Sequence, residues 1–256
     1  MNMPITRLFL ATIKHHNVWL LWLVLAIVVP VVFPYMTPKE QDPTIFEPAR
    51  AQAAWLILGF TALSWGLFQG AAFGDTLAIH GLGEYFASQG VSRLSQLCQT
   101  WLASFVAILP MLAVAMVSCL VWAMPGAEVE KASWIRLVFQ FAMLFSLVFA
   151  SWLFLAIGLA TRMGLAGAYV VTVSLALHGL YGVGILKLFT DVHANSLMEI
   201  FWTFSPHYHL GDLTRRLVFK LGHMPATDFL NVVYYLVGLL AIHFTLACLA
   251  FKPRRA

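Results

Sequence analysis

Long charge-free apolar runs alternate with short polar connectors along the chain, and six of them are long enough to cross a bilayer: residues 18–35, 51–73, 97–124, 137–161, 163–186 and 229–251. A hydrocarbon core about 30 Å thick is crossed by about 20 helical residues at about 1.5 Å each. The runs lack the period-two alternation of barrel strands, and in lipid each segment must satisfy its own backbone groups, so helices are predicted. The pattern predicts an all-α polytopic membrane protein, one transmembrane domain over residues 1–256 with six transmembrane helices. The fourth and fifth spans share a tight turn around Arg162 and Gly164.

Two weaker patterns flank these runs. Ile5, Leu8, Phe9, Thr12 and Ile13 recur at helical spacing while Arg7, Lys14 and Asn17 fall elsewhere, which predicts an interfacial helix over 4–16 with its bases toward lipid phosphates. The alternative is a basic leader of the first span. Residues 187–228 are semi-apolar, and 197–204 is too short to span, so short interfacial or re-entrant helices are expected before the last span. Within that segment Leu213, Leu217 and Leu221 share a face opposite Arg215, Arg216 and Lys220, the pattern of a piece lying flat on the outer leaflet.

Composition sharpens the class. Of 256 residues, 61% are apolar and 10% charged, against roughly 45–50% and about 25% for a soluble domain. A soluble globular protein is excluded because so few charges cannot hydrate a whole surface, and a disordered chain or nucleic-acid binder because it would be richer in charge and poorer in aromatics. The net charge of +4 is read as topological. With an even number of spans, the N-terminus, the 74–96 loop, the Arg162 turn and the tail share one side. There Arg7, Lys14, Arg93, Arg162, Lys252, Arg254 and Arg255 oppose only Asp75 and Glu84, which puts both termini in the cytoplasm. Cys98, Cys119 and Cys248 lie in apolar segments and read as small core residues, not a disulfide or zinc framework. The first run lacks a small-residue cleavage site and is expected to be a retained helix.

The loop after the second span carries Gly81-x-x-Glu84, then Tyr85-Phe86, then Gly90-Val91-Ser92-Arg93 leading into the third span. Here the sequence resembles the ABC-2 type transporter permeases, whose corresponding loop has a Gly-x-x-Glu, a short apolar helix and a Val-Ser-Arg turn. A second stretch is similar as well. Ser205-Pro206-His207-Tyr208-His209 ends an outer segment, and Asp228 followed by Val232-Val233-Tyr234-Tyr235 opens the last span. The resemblance implies a membrane subunit, an exporter, in a bacterial plasma (inner) membrane, paired with a second membrane subunit and driven by cytoplasmic ABC ATPase subunits. An apolar-aromatic helix seated in a groove of a soluble partner can pass motor strokes to helices in the bilayer. Tyr85 and Phe86 are the expected anchors, with Gly81, Glu84 and Arg93 fixing the ends of that coupling helix. Across the membrane, Ser205, Pro206, His207, His209, Asp212, Arg215 and Arg216 are the expected outer gate. Ser205-Pro206 would start a helix there, Asp212 would favour its N-terminal dipole, and the bases would face headgroups.

The remaining chemistry is read from what the sequence contains. It has no Gly-x-x-x-x-Gly-Lys-Ser/Thr, so the chain itself needs no cofactor, and ATP and Mg belong to the partner ATPase. It has no His-Glu-x-x-His, no Gly-x-Ser-x-Gly and no pair of intramembrane carboxylates, so no catalytic residues are assigned. His207-x-His209 with His193 and His223 is either a capping set or a metal site, and no metal is assigned. His80 falls in the cytoplasmic loop, whereas His178 and His243 lie within spans, as interhelical hydrogen-bonding groups or along a substrate path. Gly158, Gly164, Gly167, Gly179, Gly182 and Gly184 favour close packing of the fourth and fifth spans. The partners expected are the ATPase, a second membrane subunit and lipid, with no nucleic acid. The competing class is a non-transporting membrane scaffold or anchoring subunit that uses the same loop, and a channel is a third.

Overall fold

The computed structural model describes residues 3–36, 43–193 and 196–253, and every regular element among them is helical. α1 (Pro4–His16) and α2 (Val18–Met36) meet at Asn17, in the left-handed region at φ 54°, and their axes bend by 69°. α3 (Pro43–Thr61) runs through a single π-turn, Ala62–Gly66, into α4 (Leu67–Ile79). After the short α5 (Leu82–Ser88), α6 (Arg93–Val117) ends in a second π-turn, Ser118–Trp122. α7 (Glu128–Leu177) passes a third, His178–Gly182, into α8 (Val183–His193). α9 (Ser196–Phe204), a 3-10 turn (Tyr208–Gly211), α10 (Thr214–Val218) and α11 (Ala226–Ala250) complete the order.

Four helical stretches are long and apolar enough to cross a membrane: Glu47–Ile79, Arg93–Trp122, Glu128–Phe189 and Ala226–Ala250. The bent pair Pro4–His16 and Val18–Phe33 makes a fifth when taken as one span. The expected fourth and fifth spans both fall in Glu128–Phe189, whose 62 residues would reach about 93 Å if straight. They do not run straight. Gly164 breaks the helix at φ 84° and ψ 171°, a conformation open to a residue without Cβ. Trp152 and Gly179 both lie against Tyr208, and Phe149 and Tyr169 both reach the first π-turn, so the two arms fold back on one another.

α7 is the axis of the bundle. A Cβ on Gly66, Gly70 or Gly74 would stand 2.8 Å from the Phe149 ring, 2.9 Å from Leu153 Cδ2 and 2.6 Å from the Ile157 carbonyl. The end of the first π-turn and α4 therefore lie on α7 with a ladder of glycines at four-residue spacing, as membrane helices do where small residues let backbones approach. On its other side, a Cβ at Gly158 would stand 2.7 Å from Ala247 Cα of α11. Aromatic stacking extends this core: Trp55 on Phe141 at 3.9 Å, and Trp101 on Phe154 at 5.0 Å.

Several sequence expectations need correction. The stripe of α1 turns mostly toward the protein, and of its apolar residues only Leu8 is exposed. Ile5, Phe9 and Ile13 are buried in the protein, Phe9 stacks on Phe73 at 4.0 Å, and the Ile5 N–H donates to Gln99 Oε1 at 3.1 Å. That amide fills one of the orphan donors at a helix start, which explains why the face turns inward while Arg7, Lys14, His15 and His16 stay exposed. Residues 74–79 belong to α4, not to a loop, and α8 carries its helix through His193 where an outer segment was expected to begin at 187. Of the three cysteines only Cys119 is in the core, and Cys248 is exposed.

Candidate functional sites at the two ends of the bundle

At one end, α5 bridges α4 and α6. Gly81 caps it at φ 66°, and the Gln96 amide, buried under it, donates to the Gly83 carbonyl at 3.0 Å and the Val91 carbonyl at 3.1 Å. Ser92 caps α6 by accepting from the Ser95 N–H at 3.2 Å, so the Val91-Ser92-Arg93 run is a turn with Arg93 as the first helical residue. The two aromatics part company. Tyr85 is 57% exposed, whereas Phe86 is 7% exposed and sits in the core. Neighbours on a helix point about 100° apart, so one faces the bundle and the other faces out. Phe86 is thus a structural anchor within this chain and not a partner contact, while Gly81, Glu84, Tyr85 and Arg93 are exposed.

The chain's last described residues lock this end. A Cβ on Gly83 would meet Pro253 at 2.4 Å, so the tail lies directly on α5. Thr161 Oγ1 accepts from the Lys252 N–H at 2.9 Å, and the Arg162 guanidinium donates to the carbonyls of Ala250 at 2.6 Å and Leu249 at 3.3 Å. A cation thereby satisfies the orphan carbonyls at the C-terminus of α11, where the helix dipole favours it. The tail bases Arg254 and Arg255 lie outside the described residues.

At the other end, the 205–213 segment closes over α7 and α11. Ser205 does not cap a new helix. Its hydroxyl donates to the Phe201 carbonyl at 2.6 Å, ending α9, and pairs with His178 Nε2 at 2.9 Å. Pro206 precedes a 3-10 turn that begins at Tyr208, so it is not the first residue of an α-helix. The His207 N–H donates to the Tyr235 hydroxyl at 2.9 Å, with Trp202 edge-on to its ring at 4.9 Å. Burial pushes the His207 imidazole below its ordinary pKa, His209 adds to this, and a hydrogen bond with the Ser205 backbone opposes it. Tyr208 is fully buried, and burial raises its phenol. Its hydroxyl lies 3.4 Å from both ring nitrogens of His243, which also pairs with Ser151, so one polar knot joins this segment to α7 and α11.

Asp212 Oδ1 accepts from the Thr214 N–H at 2.9 Å at the start of α10. The leucines expected on one outward face around α10 do not share it. Leu213 and Leu217 are buried against the bundle beside α3, and only Leu221 is exposed. Lys220 pairs with Glu47 at 3.1 Å and so reaches back to the start of α3. Arg216 donates to the carbonyls of Gly222 and His223, while Arg215 is exposed. Ser133 and Gln140 of α7 hold His223 and Met224 by their backbones. Beneath this cover, α3 and α7 flank a half-open aromatic cavity of about 300 Å³, with Trp55, Phe145 and Trp152 in its wall and Asp212 and Thr214 beside it.

No protein-family model matches the chain, and no curated protein matches it. The site residues therefore rest on geometry. Among the described residues no three His, Cys, Asp or Glu side chains converge as a metal-ligating group; His207 and His209 stand 5.5 Å apart between ring centres, His223 bonds Ser133, and the side chain of His193 lies outside the described residues. Sequence reasoning missed the glycine ladder of α4, although its four-residue spacing is a readable packing signal. It also missed Gln96 and Gln99, two buried amides that fix α5 and α1, for which no local signal exists.

Proposed function

We propose that the chain is the membrane-spanning permease subunit of an ABC-2 type transporter, an exporter, working with a second membrane subunit and separate cytoplasmic ATPase subunits that hold ATP and Mg. The observation that carries this reading is α5. It is a short helix held firmly from behind by Gln96 and Pro253 that presents Glu84 and Tyr85 outward. A rigid lever with an exposed aromatic suits a soluble motor. Two spans divided at Gly164, together with α2, α3–α4, α6 and α11, give the six-span layout, with α1 as a helix at the cytoplasmic interface and both termini inside a bacterial plasma membrane. The aromatic cavity favours an amphiphilic, lipid-like or peptide cargo, with the 205–216 segment as its outer gate.

The test is to purify the protein with its genomic neighbours, ask which ATPase accompanies it, and compare two variants. Tyr85→Ala is expected to weaken ATPase binding by about 2 kcal/mol, the scale of an interface hot spot, and to leave stability nearly unchanged. Phe86→Ala is expected to cost about 3–5 kcal/mol of stability instead, as truncating a buried Phe does. A protein that recruits no ATPase, or a Tyr85→Ala variant with unaltered ATPase stimulation, counts against the coupling role.

A further inference from the structure

A fissure of about 690 Å³ opens between the first turns of α6 and the last turns of α11. Its floor is apolar: Leu94, Leu97, Phe244, Leu249 and Phe251. Leu94 and Leu249 are exposed, so the fissure faces away from the bundle, along the flank of two helices long enough to cross a membrane. Three cations, Arg93, Arg162 and Lys252, line the same fissure, and among the described residues no carboxylate does.

These cations come from three separate parts of the fold: the first residue of α6, the second residue before the α7 break, and the chain just beyond α11. Arg162 spends Nε and one Nη on α11 carbonyls. Among the described residues, the side chains of Arg93 and Lys252 have neither a hydrogen-bond nor an ion-pair partner. Positive charge with no counter-charge among the described residues, above an apolar floor at the ends of two helices long enough to cross a membrane, calls for a ligand with an anionic head and aliphatic chains. A soluble phosphate would leave the floor bare. A zwitterionic lipid would bring an ammonium with no carboxylate to receive it. Basic pockets of this kind between membrane helices suit acidic headgroups, and a guanidinium fork matches a phosphodiester.

We infer that the fissure is a binding site for an anionic glycerophospholipid, its phosphate held by Arg93, Arg162 and Lys252 and its acyl chains laid between α6 and α11. The site rests on membrane embedding and not on the transport reading. The full-length protein is placed in bilayers of mixed phosphatidylcholine and phosphatidylglycerol, extracted, and its retained lipid identified by native mass spectrometry. The wild type is expected to keep phosphatidylglycerol in preference to phosphatidylcholine. Arg93→Gln with Lys252→Gln is expected to lower that retention about 25-fold, at about fivefold per base. Because Arg162 also caps α11, the third variant is Leu94→Trp, which fills the floor with all three charges in place and should expel the lipid as well. Equal retention of the two lipids by the wild type, or unchanged retention in the double variant or in Leu94→Trp, overturns the site. Displacement of the lipid by millimolar inorganic phosphate also overturns it, since it assigns the cations to a free anion. The assay contains no ATPase and reads the same whether or not a motor binds α5.

Discussion

The His207 imidazole is held below its ordinary pKa for a local reason: burial disfavours the imidazolium, the neighbouring His209 adds to this, and Trp202 and Tyr235 also stand against its ring. In the unfolded chain the same ring takes up a proton near pH 6.5. As pH falls below that value the unfolded state gains a proton that the folded state refuses, so this stabilisation is complete above about pH 6.5 and is lost as pH drops toward the lowered folded pKa. Hydrogen exchange over 201–213, corrected for its intrinsic rate, should therefore hold its protection above about pH 6.5 and lose it as pH falls below that value. His207→Asn should remove much of that dependence, and a wild-type profile flat across the range would show that the ring does not titrate as described. At this scale the sequence names candidates better than partners. It singles out His207, but Tyr235, 28 residues on, meets it only through the fold. It pairs Tyr85 with Phe86 as anchors, and helical geometry requires the two to diverge, yet which one turns inward depends on where Gln96 and Pro253 sit.

Between helices, the decisive contacts are made by what is missing. Gly74→Ala places a methyl 2.6 Å from the Ile157 carbonyl, a backbone atom that cannot turn aside. The expected cost is about 1–3 kcal/mol, the range for overpacked cores. Gly238→Ala meets nothing within 4 Å in the middle of α11, and there the better helix former should stabilise by about 0.5–1 kcal/mol. Thermal unfolding of the two variants in the same detergent compares them directly, and equal melting points would show that α4 and α7 are not in this close register. The helical class was plain from run length and the absence of alternation, and the break at Gly164 from a glycine beside a base. Helix ends were less legible, because an apolar run records the thickness of lipid while the backbone continues: α4 extends past Phe73 to Ile79, and α6 starts at the Ser92 cap. The three π-turns have no sequence signature of their own.

For the molecule as a whole, sidedness is the property that orders every site. In a background with Cys98, Cys119 and Cys248 replaced, Val129→Cys and Ala226→Cys should react with an impermeant thiol reagent in intact cells, and Gln89→Cys should not. All three positions are exposed, so labelling reports side and not burial, and the opposite pattern would invert the molecule and exchange the proposed motor face for the proposed gate. The reversal at Gly164 bears on how such a molecule is made. Its two arms are joined by no polar loop, so at the ribosome neither can settle in the bilayer and wait for the other while a connector crosses. On the proposed six-span layout the machinery of insertion must accept residues 128–189 as one hairpin, with Arg162 at its bend held on the side of synthesis. A substitution that stiffens Gly164 would then act during biogenesis, leaving misinserted chains for quality control to remove before any question of transport arises.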